Sequence, residues 1–158
     1  MSDQFTLEEK ELLLKMDEYI QTGQIEILDD NNLPADNNFI YQDFPWGGEY
    51  IHWESVPNSE HYLVKIPYRP QESRDFIERM IKKYTLNGSV VIYGDVLLQY
   101  EYRMDVSLLP TFIWDFMPIP ICLYAVNPEQ KWCFSFKSYN DLNFGYAPDK
   151  LPEKNPTS

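Results

Sequence analysis

From residue 16 to residue 64 the chain carries ten acids and not one lysine or arginine. Six aromatics, Phe39, Tyr41, Phe44, Trp46, Tyr50 and Trp53, are interleaved with the later acids, Asp36, Asp43, Glu49, Glu54 and Glu60. A block of one charge sign must keep its carboxylates in water, because a buried and unpaired charge is strongly destabilising. Large aromatics have the opposite requirement. The stretch is therefore expected either to form loop and edge strands with aromatics inward and acids outward, or to present both to a partner.

The rest of the chain has no such imbalance. Of 158 residues with a formal net charge of -12, the first 60 hold 14 acids and two lysines (Lys10 and Lys15), and the remainder is neutral. Hydrophobic residues at 44% and aromatics at 16% describe a folded globular protein, since an acidic disordered chain lacks such aromatic content. The length suits one domain, taken as residues 1–147, with 148–158 a frayed tail rich in proline and charge. A pI near 4.4 argues against direct binding to nucleic acid or to an anionic membrane and favours a basic partner. The opening MSDQFTLEEKELLLK has no basic segment followed by an apolar run, so no secretory signal is expected and the expected compartment is the cytoplasm. The apolar stretch from Leu108 to Val126 contains Asp115 and three prolines, which does not suit a membrane span. Cys122 and Cys133 lack metal or redox spacing and read as buried small hydrophobes.

Local patterns predict the elements. Thr6 with Glu9 forms a capping box, followed by Leu12, Leu13, Met16, Tyr19 and Ile20 at helical spacing, with Gly23 as the stop. Asp29 to Asn38 is a polar turn-forming loop, and strands are expected at Ile25–Leu28, Phe39–Asp43, Glu49–Glu54 and His61–Ile66. A second helix starts at Pro70, with Phe76, Ile77, Met80, Ile81 and Tyr84 as its inward stripe. Strands follow at Val90–Tyr93 and Val96–Arg103 around a hairpin turn or bulge at Gly94-Asp95, then a short helix at Leu108–Phe116. A last hairpin joins Ile121–Val126 to Trp132–Lys137; pairing Val126 with Lys131 sets Tyr124 opposite Cys133 and Cys122 opposite Ser135, both thiols on one core face. The sum is an α+β domain, a largely antiparallel sheet with two main helices packed on one face.

Chemistry is sparse. No phosphate-binding glycine motif occurs. His52 and His61 stand nine residues apart with Glu49, Glu54 and Glu60 nearby, so hairpin pairing could gather them, although half-exposed strand histidines hydrogen-bonded to carboxylates are the commoner case and the favoured reading. No catalytic residue, metal ligand set or cofactor is assigned. Along Glu49–Glu54, strand alternation places Glu49, Ile51 and Trp53 on one face and Tyr50, His52 and Glu54 on the other. Neither face is apolar, which suits an interface better than a core strand.

With Tyr41, Asp43, Trp46, Glu49, Tyr50, Trp53 and Glu54 in an acid-only window, the chain resembles the bacterial immunity proteins of contact-dependent growth inhibition and related polymorphic toxin systems. The resemblance is one of type, carried by size, charge and the α+β pattern, without a specific motif. It implies one-to-one binding of a cognate toxin domain, often a basic nuclease, with Asp36, Asp43, Glu49, Glu54 and Glu60 supplying charge and Tyr41, Trp46, Tyr50 and Trp53 the anchors. Two alternatives remain open: an acidic DNA mimic, which needs a denser array of acids than this window has, and a small enzyme or ligand-binding domain using His52, His61 and nearby carboxylates.

Overall fold

The computed structural model describes residues 6–28, 39–65, 70–94, 98–138 and 140–148. The loop expected from Asp29 to Asn38, which includes Asp36, lies outside them, as do Ile66, Asp95, Val96 and the tail beyond residue 148. Seven antiparallel strands form one sheet in the order β1-β6-β5-β7-β8-β9-β4. They are β1 (Ile25–Leu28), β4 (Glu60–Leu63), β5 (Ser89–Gly94), β6 (Glu101–Asp105), β7 (Cys122–Asn127), β8 (Trp132–Lys137) and β9 (Asp141–Tyr146). Two short strands, β2 (Trp46–Gly47) and β3 (Tyr50–Ile51), pair with each other alone. Helices α1 (Leu7–Gln21), α3 (Pro70–Tyr84) and α4 (Leu109–Phe116) lie on one face, and the five-residue α2 (Phe39–Asp43) on the other. The architecture is α+β, as the sequence predicts.

The helices form where their apolar periodicity and caps place them. Thr6 Oγ1 accepts the Glu9 N–H at 3.1 Å, and α1 ends where Gly23 takes a φ of +83°, a left-handed conformation that glycine adopts without a Cβ clash. Leu12 and Met16 of α1 and Phe76, Ile77 and Met80 of α3 are buried against Phe134, Phe144 and Tyr102 of the sheet. Fully burying side chains of this size stabilises by roughly 1.5–3 kcal/mol each. Helix α4 joins the layer through the Lys15–Asp115 ion pair and an edge contact of Tyr19 on Phe112.

The capping box is only half made. The buried Glu9 carboxylate accepts the backbone N–H groups of Gln99 and Tyr100, at 2.7 and 3.2 Å, and the Tyr102 hydroxyl at 2.6 Å. Those bonds keep the Gln99 and Tyr100 amides out of the ladder, which β6 joins at Glu101.

Other departures have equally local causes. Phe39–Asp43, expected as a strand, is helical because Ile40 and Phe44, four residues apart, are both buried while Tyr41 and Gln42 between them are exposed. The Glu49–Glu54 strand stops at Ile51; the chain then winds into a 3₁₀ turn at Trp53–Ser55, so the two-faced alternation does not extend past Ile51. In the last hairpin, Asn127 pairs with Trp132 and Lys131 sits in the turn at a φ of +68°. Cys122 therefore faces Lys137 and Tyr124 faces Ser135, a register two residues from the expected one. A shift of two preserves the face, and both thiols stay buried on one side.

Strand β7 is buried at every position and β8 at all but Lys137, so the sheet is covered on both faces. Replacing Glu9 with alanine strands three donors and is expected to lower the unfolding free energy by on the order of 3 kcal/mol in urea titrations. A loss below about 1 kcal/mol would contradict the role given to this carboxylate.

Candidate functional site

The second cover comes from the acid-rich stretch. Ile40, Phe44, Ile51 and Val56 form a second core with Leu28, Val91, Tyr93, Tyr124, Val126 and Cys133. The Trp46 indole N–H donates to the Ile40 carbonyl at 2.9 Å, and its ring stacks under Tyr41 with centroids 5.0 Å apart. The Trp53 N–H donates to Ser135 Oγ on β8 at 2.9 Å. Beneath it, a Cβ on Gly145 of β9 would stand 3.1 Å from both Trp53 Cζ3 and Val56 Cγ1, so a glycine there lets the 3₁₀ turn seat directly on the sheet. The Tyr50 ring lies 3.9 Å from the Lys137 ammonium.

The residues expected to bind a partner are thus distributed unevenly. Trp46, Tyr50 and Trp53 are half-buried and hold the cover to the sheet, whereas Tyr41 is 57% exposed. Asp43 lies 3.4 Å from the Lys131 ammonium. Glu49 is exposed in the β2–β3 turn, and the Glu54 side chain is 89% exposed, with His52 Nε2 at 3.2 Å. Glu60 belongs to the opposite side. It pairs with Phe144 across the β4–β9 ladder, so its side chain points to the helix layer, where Lys83 and Tyr84 hydrogen-bond it at 2.5 and 2.6 Å. Those two donors hold the Glu60 carboxyl below its ordinary range.

His52 and His61 do come together, along one open cleft of about 380 Å³ between the 3₁₀ turn and the β4–β9 edge. Glu54, Asp141 and Asn143 line it with them. His61 Nε2 is 2.9 Å from Asp141 Oδ1, which also accepts the Asn143 amide at 3.0 Å. Asp141 and Asn143 were not legible as site residues, because they reach His61 only through β9, some 80 residues along the chain. Ser55, His52 and Glu54 make a hydroxyl–imidazole–carboxylate chain, with 2.7 Å from Ser55 Oγ to His52 Nδ1. Its imidazole and carboxylate are 48% and 89% exposed, so this is a solvent-screened surface contact and lacks the desolvation that activates a nucleophile.

Other chemistries find no support in the same region. Among the described residues no group of three or more His, Cys, Asp and Glu is placed to hold a metal ion. Burial pushes the Cys133 thiol well above its ordinary range, which leaves it protonated and unreactive. Among the described residues no helix is long and apolar enough to cross a membrane.

The lowered Glu60 carboxyl fixes the sign of a pH effect. Its stabilisation is complete above 4.5, the ordinary value, and is lost as pH falls through the lower folded value. The stability gap between the parent and Glu60→Gln should therefore be widest near neutrality and shrink below pH 4.5, measured by urea unfolding across pH. A gap independent of pH would contradict the pairing. Compared with known proteins, the chain matches no family model and no curated sequence.

Proposed function

We propose that this protein is an inhibitor of the immunity type, acting in the cytoplasm by binding a cognate toxin domain with a basic active surface, a nuclease above all. The docking surface is the outer side of the cover, from α2 through the β2–β3 turn to the 3₁₀ turn. One observation carries the reading. Glu26, Asp115 and Glu60 are matched within the fold by Arg103, Lys15 and Lys83; Glu49 and Glu54, like the exposed acids of α1, have no lysine or arginine partner among the described residues, but they alone of these sit on the aromatic cover of the sheet. Exposed carboxylates left unmatched on the same segment as the exposed Tyr41 ring supply the steering charge and the aromatic contact that a basic partner needs. The partner must be positive where it grips phosphate, so occupying that surface blocks it.

A second reading is favoured by a separate observation, the shared cleft of His52 and His61 beside Asp141. It makes the protein a ligand-binding domain or small enzyme whose activity needs both imidazoles.

The decisive experiment combines the protein with the product of the gene immediately upstream and measures binding and detoxification. The inhibitor reading predicts tight binding, an association rate that falls steeply with salt, and a loss of about tenfold or more in affinity for the Glu49→Lys/Glu54→Lys double variant at unchanged melting temperature. His52→Gln/His61→Gln should retain detoxification. Loss of all function in the histidine variant with no effect of the charge reversals would overturn the inhibitor reading in favour of the second one.

A further inference from the structure

We propose that the cleft beside the 3₁₀ turn is a receptor for a single arginine side chain of the partner. The inference rests on the inhibitor reading and specifies how that surface anchors its ligand. The walls present acceptors and an aromatic ring. Glu54 stands at the mouth, almost fully exposed. Asp141 has Oδ1 engaged by His61 and Asn143, leaving Oδ2 for an incoming donor. Asn143 is only 6% exposed; its amide N–H goes to Asp141, and its carbonyl oxygen receives no hydrogen bond from a described residue although the side chain lines the cleft. Trp53 completes the wall, and because its N–H is bound to Ser135 it offers the cleft its ring.

Two carboxylates, the free carbonyl of the largely buried Asn143 side chain and an indole match a guanidinium in each respect. A guanidinium is planar, donates five hydrogen bonds in a fixed fork, and stacks on aromatic faces, whereas an ammonium can use only the charge. Among the described residues no lysine or arginine lines the cleft itself; Lys137, which faces Asp141 across the β8–β9 ladder, lies in an adjoining recess that shares Trp53, Asp141 and Asn143, with its ammonium held over the Tyr50 ring. The volume of about 380 Å³ is ample for one long side chain.

The test uses the full chain and small probes, so it does not depend on the partner. Nα-acetyl-arginine amide, its neutral isostere Nα-acetyl-citrulline amide and Nα-acetyl-lysine amide are titrated while the Trp53 indole and Asn143 side-chain resonances are followed by NMR, assigned with Trp53→Phe and Asn143→Ser. The arginine probe should shift both resonances saturably, the citrulline probe should not, and the lysine probe should bind more weakly. Asp141→Asn and Glu54→Gln should each weaken the arginine probe about tenfold. Glu54 is exposed enough that its variant cannot act through misfolding. Equal shifts from citrulline, no shift from arginine, or unchanged binding to both variants would overturn the proposal. If the arginine probe binds but no basic toxin domain does, the inhibitor reading fails and the cleft assignment stands; if the toxin binds while the probe does not, the reverse holds.

Discussion

Strands β7 and β8 are apolar on both faces, and the rest of the architecture follows from that. A sheet whose central strands bury Leu123, Phe134 and Phe136 on one side and Tyr124, Val126 and Cys133 on the other needs two layers over it. Antiparallel sheets commonly leave one face to water, and these central strands cannot. The amphipathic helices α1 and α3, with α4 between them, supply one layer. The acid-rich segment between β1 and β4 supplies the second through Ile40, Phe44, Ile51 and Val56. Glu49 and Glu54 are then left facing outward.

That division explains how one stretch can be both strongly charged and structural. Its buried apolar residues follow one another at steps of four, seven and five residues with acids between them, so the chain can seat on the sheet while Glu49 and Glu54 remain in water. The tryptophans fasten it: each indole N–H has an oxygen partner, and Gly145 removes the one side chain that would hold Trp53 off the sheet. A carboxylate surface mounted on a core-anchored layer loses little conformational freedom on binding, which favours affinity as well as rapid encounter. The cleft at its edge is formed because the cover stops short of β4, leaving His61, Asp141 and Asn143 beside the 3₁₀ turn.

Much of this was legible from the residues, for physical reasons that differ by element. Helices α1 and α3 carry long apolar stripes and end signals within one segment, so local pattern suffices. The β7–β8 hairpin was recognisable, but its register depended on whether Lys131 adopts a left-handed conformation, which composition does not reveal. Strand β9 was not recognised: in Asp141-Leu142-Asn143-Phe144-Gly145-Tyr146 the alternate positions are residues poor in strand propensity, and they are tolerated because the second face there is the cleft and the seat of Trp53. Without β9 neither the position of β4 nor the meeting of His61 with Asp141 can be derived. Helix α2 was misread because five residues rich in aromatics fit a strand as well as a helical turn. The acidic window was visible at once, but its double role required knowing that the sheet has a second apolar face.

The central claim is that residues 40–56 are part of the core and not a free acidic loop. Native-state amide hydrogen exchange tests it most directly. The bonded amides of this segment, such as those of His52, Ser55 and Val56, should exchange only through unfolding that also exposes β7 and β8, with free energies close to those of the sheet. Exchange of these amides through local opening, orders of magnitude faster than in β7 and β8, would contradict the account.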